Sequence, residues 1–403
     1  MTRNVEERSM VLRKLSVLMT AALPLALADP PASSAAEITL IADSDGPLIS
    51  FSHASINASG TVAFAAFRNT GFPFSDRGVY AGSGGTLTTI ADSDGPFKAL
   101  FSPVINASGT VAFAALRDDG GRGVYTGSGG ALTTIADSDG PFQFFIDTPA
   151  INASGTVAFV GFRDDGVLGI YTGSGGPLTT ITDSDGPFED YNRIAINASG
   201  TVAFNGNRDD EGLGIYSGSG GAITTIADTD GPFGGFGYPT INDSGTVAFT
   251  AQRNAAGDFG QGIYFGSGGT LTTLVESDGP FDGFGPTAIN NFGTIVFESI
   301  LDDGRHGIFT VSDGIAYKLI ISGDELFGST VTALQFSQFG LADDGTIAFI
   351  AFLADGRDAV VRGNFDPVPV NSILIPEPSS FALMVVGLFG PAAFAVAQHR
   401  RQR

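Results

Sequence analysis

Residues 152–159 read Asn-Ala-Ser-Gly-Thr-Val-Ala-Phe, and close copies of this phrase recur through the middle of the chain. The spacings between successive copies are 49, 46, 45, 45, 48 and 52 residues. A period of this length is typical of a propeller blade and exceeds that of most leucine-rich or ankyrin repeats. The glycines that mark the seven copies are Gly60, Gly109, Gly155, Gly200, Gly245, Gly293 and Gly345.

The third copy shows how each unit is expected to fold. Residues 148–152 form a short strand, and the turn at 152–155 has asparagine first and glycine fourth, as type I turns prefer. Residues 156–163 form an apolar strand, and residues 168–172 and 178–182 form two more, separated by Asp-Asp-Gly and Gly-Ser-Gly-Gly turns. No helical period competes inside the repeats. The fold class is therefore all-β, with four short strands in each unit.

The two ends of the repeat region complement each other. The seventh unit has strands at 346–352 and 359–362, but no Leu-Thr-Thr-Ile strand follows them. A copy of that strand stands alone at residues 38–46. If it pairs with the last unit, seven four-stranded blades close into a β-propeller with no exposed edge. A linear stack of β units is the alternative, and it has no need of complementary ends.

The composition excludes several classes of protein. The 403 residues include no cysteine, which removes disulfides, zinc ribbons and thiol nucleophiles. Only three histidines, His53, His306 and His399, are available for acid/base or metal chemistry. The formal net charge of -22 repels phosphate backbones, so nucleic acid is not an expected partner.

The N-terminus reads as a secretory signal peptide over residues 1–28. Arg3, Arg8, Arg13 and Lys14 precede the apolar run 15–27, and a small-residue site ends at Ala28. A second such site at residues 34–36 leaves the cleavage point open.

The C-terminus carries a Pro-Glu-Pro motif at Pro376, Glu377 and Pro378, then 17 uncharged residues at 381–397, then an arginine-rich tail. The basic tail would remain cytoplasmic, which places the preceding chain outside. This order of parts resembles the PEP-CTERM sorting signal of Gram-negative bacteria. The resemblance implies processing at these three residues by an exosortase-type enzyme, and a place beside exopolysaccharide production. A permanent membrane anchor is the alternative.

Residues 50–350 also resemble the bacterial tandem-repeat proteins named for the pattern NxxGxxAF. Units one to five match the pattern fully, whereas Val296 replaces the alanine in unit six and Ala342 replaces the asparagine in unit seven. That family implies no catalytic residue.

Recurring Asp-Ser-Asp-Gly-Pro loops suggest a metal site. Two carboxylates at positions i and i+2 before a glycine offer hard oxygen ligands to calcium, but these loops lack the glutamate that completes an EF-hand. The alternative is that the aspartates cap their own turns. The candidate calcium ligands are Asp92, Asp94, Asp137, Asp139, Asp183, Asp185, Asp228 and Asp230.

A second acidic set could supply the two carboxylates that a glycosidase needs. It consists of the Asp-Asp pairs at 118–119, 164–165, 209–210 and 302–303. Their repetition argues for hairpin turns instead, because a catalytic pair is used once per site. The repeated phenylalanines and tyrosines are interpreted as packing between blades.

The domain organisation that follows is a signal peptide (1–28), a linker (29–37), a seven-repeat propeller (38–365), a second linker (366–375) and a sorting signal with one hydrophobic helix (376–403). We expect an exported, non-enzymatic binding or structural protein of the cell surface or of an exopolysaccharide matrix, requiring no cofactor and engaging a repetitive polymer through many weak contacts. The alternative is a carbohydrate-active hydrolase or lyase that uses non-repeated charged residues. The positions for that alternative are Glu189, Asp190, Arg193, Asp258, Asp282 and Arg305.

Overall fold

The computed structural model describes residues 37–70, 76–146, 148–209, 212–254 and 260–370, and every regular element in these ranges is a β-strand. The predicted signal peptide and sorting signal lie outside the described residues, as does the predicted C-terminal helix. The first half of the strands comprises β1 Glu37–Asp43, β2 Leu48–Ile56, β3 Val62–Arg68, β4 Arg77–Gly82, β5 Thr88–Asp92, β6 Phe97–Ile105, β7 Val111–Arg117, β8 Arg122–Gly127, β9 Thr133–Asp137, β10 Phe142–Phe145, β11 Ala150–Ile151, β12 Val157–Arg163, β13 Leu168–Gly173 and β14 Thr179–Asp183.

The second half comprises β15 Phe188–Ile196, β16 Val202–Arg208, β17 Leu213–Gly218, β18 Thr224–Asp228, β19 Phe233–Phe236, β20 Thr240–Ile241, β21 Val247–Arg253, β22 Gln261–Gly266, β23 Thr272–Glu276, β24 Phe281–Ile289, β25 Ile295–Leu301, β26 His306–Ser312, β27 Ile315–Ile321, β28 Glu325–Leu326, β29 Ser329–Leu341, β30 Ile347–Leu353, β31 Asp358–Asn364 and β32 Val368–Pro369. In the described part of the chain, no helix is long and apolar enough to cross a membrane.

Seven antiparallel sheets form the seven blades of a propeller, as the repeat predicts. Blades one, two and four are plain meanders, β2 to β5, β6 to β9 and β15 to β18. Blades three and five have the same layout, but their first strand is split in two, and β32 adds a short fifth strand to blade six. This strand lies within residues 366–375, for which the sequence predicts a linker.

Strand β1 closes the ring. It pairs antiparallel with β31, from Glu37 opposite Asn364 to Asp43 opposite Ala359. The N-terminal copy of the fourth strand therefore completes blade seven. The Asp358 backbone N–H donates to the Ser44 hydroxyl across this pairing, although the two residues are 314 positions apart in sequence. This pairing confirms the closed propeller and excludes the linear stack.

The core lies between the blades and follows from the Val-Ala-Phe pattern of the second strand. Successive side chains of a strand point to opposite faces. The phenylalanine of one blade therefore meets the small residues of the blade before it: Phe113 and Tyr125 of blade two pack against Ala63 and Val79 of blade one. All seven repeat phenylalanines are fully buried, which confirms their predicted role between blades.

A glycine two residues before the repeated tyrosine makes room for this packing. A side chain added at Gly123 would place its Cβ 2.6 Å from the hydroxyl oxygen of Tyr125. The Gly-Val-Tyr pattern of the third strand is thus a steric requirement of the core.

The turn of the repeated phrase has the predicted form. In the third copy, the Gly155 backbone N–H donates to the Asn152 carbonyl at 3.0 Å. Gly155 has a φ of 83°, in the left-handed region that glycine adopts without strain. The asparagine Oδ1 caps the turn by accepting from Ser154 N at 3.1 Å, Ser154 Oγ at 2.7 Å and Thr156 N at 3.0 Å.

The same asparagine also joins neighbouring blades. Asn152 Nδ2 donates to the backbone carbonyl of Asn197 at 3.1 Å, and Asn106 Nδ2 donates to the carbonyl of Asn152 at 3.1 Å. These side chains are 5% exposed, so the bonds are buried. The chain of bonds passes from blade one to blade seven through Asn57, Asn106, Asn152, Asn197, Asn242 and Asn290.

The junction between blades seven and one uses a different donor. Ala342 holds the asparagine position in blade seven and has no side-chain donor. Arg362 of β31 instead donates from Nη1 to the carbonyl of Gly60 at 2.7 Å. The arginine thereby ties the last blade to the first turn.

We predict that Asn152→Ala lowers the free energy of unfolding by about 1–3 kcal/mol, because it leaves buried backbone groups without partners on two blades. The exposed Asn364→Ala variant is the matched control and should change stability by less than about 0.5 kcal/mol. Ala342→Asn should stabilise the ring, since it supplies the missing seventh donor. Denaturant unfolding measures all three, and an Asn152→Ala stability equal to that of the control would contradict the role of the bond.

Candidate ligand site at the propeller axis

The antiparallel strands place two kinds of loop on opposite faces of the ring. The Asn-Ala-Ser-Gly and Gly-Ser-Gly-Gly turns lie on one face. The Asp-Ser-Asp-Gly-Pro loops and Asp-Asp-Gly hairpins lie on the other, which we call the acidic face. The acidic side chains are thus concentrated at one end of the propeller.

Six of the eight predicted calcium ligands on the acidic face lie beside an arginine. Arg117, at the end of β7, lies 2.7 Å from Asp139 Oδ1 through its Nη2 and 3.6 Å from Asp137 Oδ2 through its Nη1. Asp137 Oδ1 also accepts from the Asp139 backbone N–H at 3.2 Å. The guanidinium holds the pKa of Asp139 below its usual value.

The pattern repeats around the ring. Arg68 pairs with Asp92 and Asp94, and Arg208 pairs with Asp228 and Asp230. Asp183 and Asp185 occupy the equivalent loop of blade three, where the Gly186 N–H donates to the Asp183 carbonyl. Among the described residues, no group of three or more histidine, aspartate or glutamate side chains forms a metal-binding cluster. This geometry favours the turn-capping interpretation, and calcium binding stays a prediction.

Calcium should leave the stability of residues 37–370 unchanged, because arginine already supplies the positive charge at these loops. A cation that binds only the folded state would raise the unfolding temperature. Thermal unfolding with calcium and with a chelator measures the difference. A rise with calcium that is absent with magnesium would contradict this expectation and support the calcium assignment.

The Asp-Asp pairs at 118–119, 164–165 and 302–303 lie in exposed hairpins, as their repetition predicts, and Asp210 of the fourth pair lies outside the described residues. Asp119 Oδ1 accepts from the Gly121 N–H at 2.8 Å and from Arg117 Nε at 3.1 Å. Asp303 accepts from the Arg305 N–H at 3.0 Å and from Arg305 Nε at 2.7 Å. These carboxylates cap their own turns.

A cavity of about 380 Å³ lies on the axis of the ring and is lined by all seven blades. Its wall includes the residue four positions before the repeat asparagine in every blade. The neighbouring isoleucine and asparagine are almost constant, but this position differs in each copy. The seven residues, which we call the axial ring, are His53, Ser102, Thr148, Arg193, Tyr238, Pro286 and Gln338.

Irregular backbone points these side chains toward the axis. The pairing of the first and second strands shifts register at the axial ring position in five blades, with bulges between Ser52 and Ser55 in blade one and between Asn192 and Ile194 in blade four as examples. Three axial ring residues have left-handed backbone: His53 at φ 58°, Ser102 at 45° and Arg193 at 38°. Such strain in non-glycine residues is concentrated at functional sites.

Arg193 and Tyr238 form the polar centre of the cavity. The Arg193 guanidinium stacks 4.2 Å from the centroid of the Tyr238 ring, and its Nη2 donates to the Tyr238 hydroxyl oxygen at 3.0 Å. The stack fixes the guanidinium at the wall of the cavity. A second hollow between blades five and six shares Tyr238 and Pro286 with the axial cavity, so the two are contiguous at these residues.

His53 lies on the same wall and is largely buried. Burial, and the charges of Arg77 and Arg193, lower the pKa of its imidazole below the usual value. The Nδ1 atom is buried without a hydrogen-bond partner among the described residues. The imidazole therefore has one buried polar atom without a described partner.

Glu298 reaches the cavity from β25 and links blades six and seven. Its Oε2 accepts from the Phe336 backbone N–H at 2.6 Å, and its Oε1 lies 2.9 Å from His306 Nε2. The hydrogen bond to Glu298 raises the pKa of His306. At the equivalent positions of blades four and five, Asn205 and Thr250 instead donate to a backbone carbonyl of the next blade.

We predict opposite pKa shifts for the two histidines of residues 37–370. His306 should titrate above its ordinary value near 6.5 and His53 below it. The stabilisation from His306 is then full below about pH 6.5 and is lost as the pH rises through its raised pKa. For His53 the dependence is reversed: stability is full above about pH 6.5 and decreases as the pH falls through the lowered pKa.

Nuclear magnetic resonance of the imidazole protons measures both pKa values, and His306→Gln assigns the signals by removing the higher one. Two titrations at the ordinary value would contradict both environments.

The sequence identified only part of this site. Arg193 was among the irregular charged positions, and the structure places it in the cavity. Glu189, Asp190 and Asp282 are exposed, Arg305 is paired in its hairpin, and Asp258 lies outside the described residues. Tyr238, Gln338 and Glu298 were missed. In an alignment of the seven copies, the axial ring lies three residues before a nearly constant isoleucine, but the residues directly beside it vary as well, so variation alone does not mark it.

The fold and the cavity define the class of protein as a seven-bladed β-propeller with a candidate binding site on its axis. The chain belongs to a family described as "Family of unknown function (DUF7453)", which matches residues 31–129 and 56–357. Residues 374–401 match the PEP-CTERM protein-sorting motif, which confirms that resemblance. The resemblance to the NxxGxxAF proteins is not confirmed. No curated protein sequence matches the chain.

Solved structures show a likeness of fold alone. An oligogalacturonate lyase in complex with manganese aligns with a TM-score of 0.52 and 10% identity, over 81% of this chain and 98% of the lyase. A prolyl endopeptidase aligns with a TM-score of 0.49 and 12% identity, over 75% of this chain and 45% of that chain. A chain of a mitotic checkpoint complex aligns with a TM-score of 0.46 and 13% identity, over 87% of this chain and 99% of that chain.

Proposed function

We propose that this protein is an exported, surface-sorted, non-enzymatic binding protein whose axial cavity holds a segment of an extracellular polysaccharide. The PEP-CTERM motif supports export and membrane-anchored processing. In this proposal an exosortase-type enzyme acts at Pro376, Glu377 and Pro378, and the processed propeller remains at the cell surface or in an exopolysaccharide matrix.

The axial ring is the observation that carries the proposal. Six of the seven copies keep the asparagine of the turn and all seven keep its glycine, yet the axial ring position differs in every copy. A position that only packs between blades would carry the same residue in each repeat. The seven blades have nearly the same backbone, but seven different side chains surround the cavity. The site is therefore asymmetric, as a site that recognises a specific ligand is expected to be.

The lining of the cavity supports a sugar ligand. Pro103, Pro149, Pro286 and Phe339 provide apolar walls, while Arg193, Tyr238 and Gln338 provide hydrogen-bonding groups. Small-ligand sites combine apolar walls with a few polar groups in this way, at volumes of about 300–1,000 Å³. Sugar rings present both C–H faces and hydroxyl groups to such a lining.

Binding is favoured over catalysis because of Glu298. It is the only carboxylate among the described residues that line the axial cavity, and both of its oxygens are engaged by His306 and Phe336. Most glycosidases need two carboxylates at a set separation. The exposed loops of the acidic face would add weak contacts to the same polymer.

The experiment fills the cavity. Residues 37–370 contain the whole closed ring and are tested against acidic, neutral and basic polysaccharides by affinity electrophoresis. Thr148→Trp should abolish the binding seen with the wild-type chain by occupying the axis, and Thr270→Trp, in an exposed turn, is the matched control.

Equal binding by Thr148→Trp and the wild-type chain would refute the axial site. Release of reducing ends or unsaturated sugars from a bound polymer would instead favour the hydrolase or lyase.

A further inference from the structure

We infer that the axial cavity recognises a carboxylate, and that its ligand is a hexuronate residue held by the guanidinium of Arg193. This inference rests on the proposed function and specifies the chemistry of the sugar.

Arg193 differs from the arginines of the acidic face. Seven of those, one at the second strand or hairpin of each blade, pair with aspartate or glutamate: Arg68, Arg117, Arg163, Arg208, Arg253, Arg305 and Arg357. Arg193 forms no ion pair with any described residue. Its contacts are the ring and the hydroxyl of Tyr238. The cavity thus holds a guanidinium that has no ion-pair partner among the described residues.

The neighbourhood of Arg193 is electropositive as well. Arg77 and Arg193 both act on the buried His53, and the Nδ1 of that imidazole has no described partner. Arg77 is held between the rings of Phe67 and Phe101, with centroids at 5.4 Å and 5.1 Å. Glu298 is the opposing charge on the cavity wall, and it is already bonded to His306 and to the Phe336 N–H.

The positive charge is notable in a body of this composition. Seven basic and three acidic residues lie in 1–28 and 376–403, so the remaining chain has 13 basic and 39 acidic residues, a net charge of -26. An anion is repelled by such a body at long range and needs a local reason to bind. The Arg193 guanidinium in the cavity can attract a carboxylate locally, because its N–H groups can donate to both carboxylate oxygens and the low dielectric of the cavity strengthens the contact.

Shape favours a sugar acid over a free inorganic anion. A phosphate or sulfate ion would fill a small part of a cavity of about 380 Å³. A hexuronate presents its carboxylate to Arg193 while its ring lies against Pro103, Pro149 and Phe339. The positive φ of Arg193 supports the assignment, since the bulge in β15 holds this side chain toward the axis at a conformational cost.

The test compares three ligands that differ in one group. Calorimetric titration of residues 37–370 uses D-glucuronate, its methyl ester and D-glucose. We expect the ester and glucose to bind about tenfold or more weakly than the acid, as loss of a charged hydrogen bond predicts. This comparison needs no variant, so a folding defect cannot obscure it. Equal affinity of the acid and its ester would overturn the inference.

Variants then locate the charge. Arg193→Gln keeps the length of the side chain and should weaken glucuronate about tenfold or more while leaving glucose unchanged. Arg305→Gln, in an exposed hairpin, is the matched control. Inorganic phosphate binding with the same affinity as glucuronate, and with the same loss in Arg193→Gln, would overturn the assignment to a sugar acid.

The outcomes separate the inference from the proposed function. If all three sugars bind alike and Thr148→Trp abolishes their binding, the axial site stands and the carboxylate assignment is wrong. If none of the three sugars binds and no polysaccharide in the panel binds, both are wrong.

Discussion

One buried side chain sets the geometry of the ring. In six of the seven repeats, an asparagine holds its own turn through Oδ1 and reaches the next blade through Nδ2. Its two functions are coupled, because the turn that Oδ1 fixes also sets the direction of Nδ2. The turn determines where the Val-Ala-Phe strand begins, and that start places phenylalanine on one face and alanine on the other. Packing between blades therefore depends on the asparagine.

This repeated frame leaves the axis free to vary. The hydrogen bonds of the turn and the apolar contacts between blades lie away from the axial ring, so changes at that position do not disturb them. Strained residues such as His53 and Arg193 are tolerated because the nearly constant isoleucine and asparagine that follow them fix the end of the strand. Function in a propeller is a property of its site and not of its fold, and the axial ring is where the copies of this chain differ.

Local patterns made much of the fold predictable from the sequence. The period, the turn of residues 152–155 and the isolated strand copy at 38–46 each have a short-range signature, and together they predicted a closed ring of seven blades. The inter-blade bonds of asparagine were not predictable, since their donor and acceptor are 45 or more residues apart. The bond from Arg362 to blade one had no signature in the sequence, because it occurs once and takes the place of the asparagine that blade seven lacks.

The candidate site was harder to predict for a related reason. An Asp-Ser-Asp-Gly loop has the same sequence whether it binds a cation or an arginine, and the arginine that pairs with Asp139 lies 22 residues earlier. The axial ring likewise gains meaning only when its position is known to face a cavity. Before that, Arg193 was one irregular charge among several.

The closing strand also imposes an order on folding. Strand β1 is the first strand of the chain to be synthesised, whereas its partner β31 is among the last. Until then, β1 has no neighbour within its blade, and the hydrogen-bonding edge of β31 is open once it emerges. Loop-closure entropy rises only slowly with chain length, so the long separation adds little to the cost of the final pairing. Each molecule therefore passes through an open-ring intermediate in which two complementary strand edges are exposed. At high protein concentration, β1 of one chain can pair with β31 of another during this interval and complete the seventh blade of that chain.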